Sequence, residues 1–318
     1  MKIGIVGAGR WGCTLAALLS KVGHEVHLVG TDEDLDLLNT TGRVPCGADI
    51  KLPKTIHLKT TNESIRDFPV VFVAVSGEFL EKAYYQQTTS GILVVACKAL
   101  YNSSDAELVL PTQLLNHPDY EVYFTCAGFP EGLLRGSPSI GTAYSLDPKN
   151  AQIVQELFPS KILRVYTSED IIGGQIGAAL KNIVALASGI AMQMRFDTMT
   201  RASLISRGAA EITKVGLEIG ADLKTFSAGT TFMADLVGTC LSCHSRNVHA
   251  GILLAGGYNR QETELQLGTV EGFHTLEALA STDFLKMMPI ASAVQSIIEG
   301  EKPQNALEAL LSRPLTNE

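Results

Sequence analysis

KIGIVGAGRWGCTLAALLSKVGHEVHLV, residues 2–29, decides the fold. A short β-branched run at 2–6 leads directly into Gly7-Ala8-Gly9-Arg10-Trp11-Gly12. A helix-compatible segment follows at 13–21, then Gly23 and a second strand-like run at 26–29. Strand, G-x-G-x-x-G turn, helix and strand make the βαβ unit of a dinucleotide-binding fold. Gly7 permits the tight turn, Gly9 lets the backbone approach a pyrophosphate, and Gly12 lets the helix pack close to the strand. The anion would rest against the N–H groups at the helix N-terminus. Asp32 follows about 20 residues beyond the glycines, where an acidic side chain binds the ribose hydroxyls of NAD and repels a 2′-phosphate. Thr31-Asp32-Glu33-Asp34 also reads as a helix cap with an acidic first turn. With no Arg or Lys nearby to receive a 2′-phosphate, the balance falls to NAD over NADP.

Further along, 70–75 (VVFVAV) and 92–96 (ILVVA) are continuous apolar runs, the pattern of strands covered on both faces in a parallel sheet. They end at Ser76-Gly77 and Cys97-Lys98. Lys98 then stands at the carboxyl end of a strand, where such sheets bind ligands, unless it is a surface-loop lysine. Strands are expected at 120–125, running into Cys126-Ala127-Gly128-Phe129-Pro130, and at 139–144 and 162–166. A Rossmann-type domain over 1–168 is therefore expected.

From 169 to 318 no strand pattern recurs, so an all-helical domain is expected. Within GGQIGAALKNIVALASGIAMQM (173–194), Ile176, Leu180, Ile183, Val184 and Ala187 repeat with helical spacing. Lys181 interrupts this apolar surface. It is either a rim lysine whose stem snorkels to water or an amine drawn into a cleft. In a cleft, desolvation readies an ammonium to exchange protons and a carboxylate partner does the reverse. An amphipathic helix is expected at 201–220, a loop-and-helix region at 221–229, and helices at 248–255, 275–285, 289–299 and 304–311. Asp235 is a lone acid in the apolar run 233–240. Ser245-Arg246-Asn247 reads by itself as a helix cap beside a surface arginine.

The 318 residues suffice for two domains, and 46% hydrophobic with 18% charged residues is a globular balance. A net charge of −8 argues against non-specific nucleic-acid binding. The opening MKIGIVGAG has no basic n-region or long apolar h-region, so no secretory signal is expected. Every long apolar stretch is interrupted by Lys, Gln, Arg or Ser, so no membrane span is expected. Six cysteines without such a signal read as reduced thiols in a cytoplasmic protein. Cys240-Leu241-Ser242-Cys243-His244 spells a haem-attachment pattern, but that chemistry needs an export route. Further zinc ligands at suitable spacing are not evident, so no metal is expected.

The ordered set Gly7–Gly12, Lys98, Gly177-Ala178-Ala179-Leu180-Lys181-Asn182, Asp235-Leu236-Val237, Thr239-Cys240, Ser245-Arg246-Asn247 and Val270-Glu271-Gly272 closely resembles the NAD(P)-dependent glycerol-3-phosphate dehydrogenases, over nearly the whole chain. The resemblance implies a Rossmann domain followed by a helical domain of the 6-phosphogluconate-dehydrogenase-like kind, and a homodimer. It implies reversible reduction of dihydroxyacetone phosphate to sn-glycerol 3-phosphate, feeding glycerophospholipid synthesis. Residue by residue, it implies Lys181 as proton donor and acceptor, with Asp235 and Lys98 in the catalytic group. It gives Lys98, Gly128, Asn182, Asp235, Ser245, Arg246 and Asn247 to the substrate. It gives Gly7, Gly9, Arg10, Trp11, Gly12, Lys98, Arg246 and Glu271 to the cofactor, beside Asp32. The chain departs from the family pattern in three places. Arg10 stands where a serine is usual, the segment from Ala127 to Arg135-Gly136 is shortened, and so is the one after Val75.

A ketone accepts hydride readily only when its oxygen is protonated or polarised as charge develops. Lys181 as an ammonium can supply that proton, and as an amine it is the base for alcohol oxidation. Arg246 offers a planar fork to a phosphate dianion, with Ser245 and Asn247 as neutral donors. Two other readings are open: a related Rossmann-plus-helical reductase of another small hydroxy or keto acid, and a silent cofactor-binding regulatory protein. The first has no need of Ser245-Arg246-Asn247, and the second would bind NAD(H) without turnover.

Overall fold

The computed structural model describes residues 1–45, 49–86, 89–103, 105, 107–115 and 121–314. Two compact units divide the chain: Met1–Lys98 with Leu110–Gln175, and Ala99–Val109 with Ile176–Glu318. This differs from the single cut expected after residue 168, because a short segment from the first half belongs to the second unit.

The strands in chain order are β1 Lys2–Val6, β2 Glu25–Gly30, β3 His57–Thr60, β4 Val70–Val73, β5 Ile92–Val95, β6 Tyr101–Asn102, β7 Leu108–Val109, β8 Glu121–Cys126, β9 Ser139–Tyr144 and β10 Leu163–Ser168. Eight of them form the sheet of the first unit in the order β10-β9-β8-β5-β4-β1-β2-β3. β4 and β5 are buried along their whole length, as their unbroken apolar runs require. Tyr120, the expected start of β8, lies outside the described residues; the strand is described from Glu121. The sheet is not wholly parallel. β8 and β9 pair antiparallel, while β9 and β10 pair parallel to each other. β9 follows β8 through a connection that holds only one short helix, Pro130–Leu134, and an apolar run alone does not reveal strand direction.

The helices of this unit are α1 Arg10–Lys21, α2 Asp32–Thr41, α3 Leu80–Gln86, α4 Pro111–Leu115, α5 Pro130–Leu134 and α6 Pro148–Glu156. α1 buries eight consecutive residues from Gly12 to Leu19. Its core partners include Ile3, Ile5, Leu28, Phe72 and Phe124.

α7, Ile171–Gln193, begins in the first unit and continues in the second. Its 23 residues include an 18-residue stretch of mean hydropathy 1.3, long and apolar enough for a membrane span, but 89% of that stretch is buried inside the protein. It is a core helix. The second unit continues with α8 Thr198–Glu218, α9 Leu223–Ser227, α10 Thr230–Leu241, α11 Arg246–Ala255, α12 Arg260–Leu267, α13 Glu271–Ala280, α14 Pro289–Ile298 and α15 Pro303–Leu311. The helix expected over 275–285 instead starts at Glu271 and ends at Ala280. Thr282 there accepts from the Phe284 N–H and starts a separate 3₁₀ turn, Asp283–Met287. α12 has no apolar face to betray it; Asn259 and Glu262 close a capping box at its start instead. β6 and β7 form an antiparallel hairpin in this unit, where Asn102 Nδ2 donates to the Ala278 carbonyl at 2.7 Å.

Candidate active site

In the first unit the glycine-rich turn is shaped by close approach. Gly7 has φ +107°, and a Cβ there would stand 2.7 Å from the Ala74 carbonyl oxygen. A Cβ on Gly12 would stand 1.8 Å from the Gly7 oxygen, so only glycine lets α1 start this close to β1. A Cβ on Gly9 would meet nothing within 4 Å. Gly9 is the N-cap of α1, and no side chain caps that end. The result is open space beside Gly9 at an uncapped helix N-terminus, which fits the pyrophosphate of a dinucleotide. Trp11 is half-buried and packs on the core.

Asp32 is exposed as the first residue of α2, straight after β2. The cap is made by its neighbour: Thr31 Oγ1 accepts from the Asp34 N–H at 3.2 Å, and Asp34 returns a bond to the Thr31 N–H. The segment is thus the capped helix start of the alternative reading, with Asp32 in its acidic first turn and Thr31 as the cap. Lys98 is half-buried, three residues past the end of β5, and its Nζ donates to the Cys126 carbonyl at 3.4 Å. It thus spans the carboxyl ends of β5 and β8. Gly128 lies beyond β8, where a Cβ would crowd Leu133 Cδ1 at 3.0 Å. Sequence reasoning missed the partner of Arg10. Arg10 NH2 lies 2.5 Å from Glu131 Oε1, so the serine-to-arginine departure and the shortened segment before Arg135 meet in one ion pair.

In the second unit Lys181 is 4% exposed, which removes the rim reading. Its Nζ lies 3.0 Å from Asp235 Oδ1 and donates to Thr239 Oγ1 at 2.6 Å. Thr239 Oγ1 in turn donates to Asp235 Oδ1 at 3.3 Å. Asp235 and Thr239 are one turn apart on α10, so both face α7. Thr239 was given no role from the sequence, although its i+4 spacing from Asp235 was the signal. Cys240 beside it is buried, and burial pushes its thiol up to about 12. Cys243 is exposed, so the two cysteines of the haem-like pattern sit in unlike surroundings.

A second chain of hydrogen bonds starts at the next residue of α7. Asn247 Nδ2 donates to Asn182 Oδ1 at 3.0 Å, and Asn182 Nδ2 donates to Glu271 Oε2 at 3.3 Å. The Gly272 N–H donates to Asn247 Oδ1 at 2.9 Å. These amides lock the first turns of α11 and α13 to α7. Ser245 caps α11, accepting from the Val248 N–H at 3.3 Å, as the capping reading required. Arg246 is the half-buried first residue of that helix. In this unit the structure joins Lys181 to Asp235, and Asn182 to Asn247 and Glu271, by contact, and holds Ser245 and Arg246 next to Asn247 in the chain.

Comparison with known proteins agrees with this construction. The family described as NAD-dependent glycerol-3-phosphate dehydrogenase matches residues 2–112 with its N-terminal model and 170–308 with its C-terminal model. A protein of Bacillus subtilis (strain 168) named glycerol-3-phosphate dehydrogenase [NAD(P)+] is 35% identical, over 100% of this chain and 96% of that protein. One of the same name from Thermoanaerobacter sp. (strain X514) is 32% identical, over 100% and 99%. In fold, the chain is similar to the crystal structure of glycerol-3-phosphate dehydrogenase from Coxiella burnetii, with a TM-score of 0.86 at 22% identity over 98% of this chain and 99% of that one. With its glycine-rich cradle and its buried lysine–aspartate pair, this chain belongs to the NAD(P)-dependent glycerol-3-phosphate dehydrogenase family.

Proposed function

We propose that the chain reduces dihydroxyacetone phosphate to sn-glycerol 3-phosphate with NAD(P)H, reversibly, and that Lys181 is the proton donor. The supporting observation is the Lys181 ammonium buried on α7, 3.0 Å from Asp235 and 2.6 Å from Thr239. NAD(P)H, when bound, supplies the hydride to the carbonyl carbon. Gly7, Gly9, Gly12 and the N-terminus of α1 hold its pyrophosphate, and Asp32 takes the adenosine ribose, favouring NAD. As negative charge grows on the carbonyl oxygen, a Lys181 N–H bond breaks and the O–H bond of the alcohol forms. Asp235 and Thr239 fix the direction of Nζ, and Asp235 offsets its charge. In the oxidative direction the neutral Lys181 amine takes the proton back. Lys98 adds a second positive pole near the carbonyl.

Arg246 grips the substrate phosphate with its fork. Asn182 and Asn247 have side-chain bonds within the protein, so they work mainly by holding the first turn of α11, and hence Arg246, in place. Ser245 caps the same turn and keeps its O–H available to the phosphate. The reading extends to a cytoplasmic homodimer whose product feeds glycerophospholipid synthesis, supported by the family resemblance.

The test is oxidation of NADH and of NADPH with dihydroxyacetone phosphate, beside Lys181→Ala. We expect turnover with at least one cofactor, a fall in kcat of about a hundredfold or more in the variant, and unchanged NADH binding by fluorescence. A variant turning over within a few-fold of the parent would overturn the assignment. Arg246→Lys should chiefly raise KM, since a point charge replaces a fork. A fall in kcat alone, with KM held, would remove the phosphate role.

A further inference from the structure

At the amino-terminal end of β2, three side chains gather that the reduction reaction does not use. Glu25 and His27 alternate onto one face of β2, and the parallel register sets His57, first residue of the edge strand β3, directly beside His27. His27 Nε2 and Glu25 Oε1 lie 2.8 Å apart. The His27 and His57 rings stack with centroids 4.6 Å apart and planes 22° apart. Phe68 also packs on the His27 ring, in a T-shaped contact with centroids 4.9 Å apart. One ligating atom from each of Glu25, His27 and His57 lies within 4.8 Å of the other two.

We propose that Glu25, His27 and His57 bind a first-row divalent cation of the Zn²⁺ class, which staples the edge strand β3 to β2. Two imidazoles and a carboxylate are a ligand set that suits such a cation, with water in the fourth position. Tetrahedral bonds of about 2.1 Å put ligand atoms about 3.4 Å apart. Closing the remaining gap takes rotation of Glu25 and of His57, both exposed, with the His57 ring tilting out of its stack on buried His27. Lys2 works against the cation: its Nζ lies 3.8 Å from Glu25 Oε1 and competes for that oxygen. The affinity is therefore below that of a closed structural zinc site. Asp32 lies beyond the opposite end of β2, about 17 Å along the strand from His27 at 3.3 Å per residue, so the cation leaves the dinucleotide alone. No local spacing marks this site, because the pairing of β2 with β3 brings His57 to it from 30 residues away.

The experiment is calorimetric titration of the full chain, freed of metal by chelator, with ZnCl₂, and Co²⁺ absorption as a check of tetrahedral ligation. We expect one Zn²⁺ per chain, a rise in Tm, and an NADH dissociation constant unmoved by Zn²⁺. His57→Gln, an exposed position that does not threaten folding, should weaken Zn²⁺ binding about tenfold or more. Lys2→Ala should tighten it, and Cys243→Ser should leave it unchanged. Absence of Zn²⁺ uptake by the parent chain overturns the proposal. So does uptake that His57→Gln leaves intact, or that Cys243→Ser abolishes.

Discussion

The helical unit buries an ion pair whole, the sheet unit buries only the carboxylate of one, and the two pairs suit different tasks. Lys181 and Asp235 meet at 3.0 Å with side chains 5% and 9% exposed, and Thr239 bridges them. Arg10 and Glu131 meet at 2.5 Å with side chains 35% and 11% exposed. An ammonium can give up a proton, whereas a guanidinium stays charged throughout. The helical pair can therefore take part in proton transfer, and the sheet pair can only hold or recognise. A third buried carboxylate, Glu211 on α8, relies on the backbone instead: the Ile290 N–H at the start of α14 donates to its oxygens at 3.0 and 3.1 Å. Burying a carboxylate beside a lysine, beside an arginine or at a helix end leads to three separate kinds of behaviour.

The sharpest break in the comparison is Asp235→Asn. It leaves the Lys181 ammonium without its counter-charge, so kcat should fall about a hundredfold and stability about 3 kcal/mol, read by steady-state kinetics and urea unfolding. Thr239→Val removes one hydrogen bond to a charged group while keeping shape. A fall in kcat of about tenfold with KM little changed is expected, and an unchanged kcat would make Thr239 a packing residue only. In the sheet unit, Arg10→Ala should cost about 1 kcal/mol, since the arginine is partly solvated. Arg10→Met with Glu131→Leu should recover that loss in a double-mutant cycle. The equivalent apolar replacement of Lys181 and Asp235 should recover stability but not turnover.

Glu211→Gln gives the smallest effect, and its sign depends on pH. Burial pushes Glu211 up to about 7, against the opposing pull of the Ile290 N–H and of Arg207 and Arg313. A carboxyl raised in the folded state contributes stability that is whole below its ordinary value of 4.5 and fades as pH rises through about 7. The glutamine variant escapes this loss. Its Tm advantage should therefore grow between pH 4.5 and pH 8, by about a few degrees. An advantage that is flat with pH would mean that Glu211 titrates normally.

Much of this was legible in the chain. The turn from Gly7 to Gly12 carries its own geometry, because a side chain at Gly7 or Gly12 would collide with backbone, and Gly7 also sits at φ +107°. Lys181 and Asp235 stood out as charges in apolar helices, and a buried charge needs a partner. Thr239 was invisible as a misfit, since a threonine suits a helix interior face without explanation. Glu131 escaped because its partner lies 121 residues away, and no local rule joins them. The reversal at β9 escaped for a related reason: side-chain pattern records burial, while strand direction is settled by how the connection packs.

The hairpin of β6 and β7 bears on how the protein is made. It leaves the ribosome early, yet its partner residue Ala278 is added 176 residues later, when Asn102 can at last reach that carbonyl. Until the helical unit has been synthesised, the hairpin lacks the partner with which it packs in the finished fold. Cutting the gene once after codon 168 would strand this loop on the wrong fragment, so the two halves should recover full stability only when synthesised as a single polypeptide.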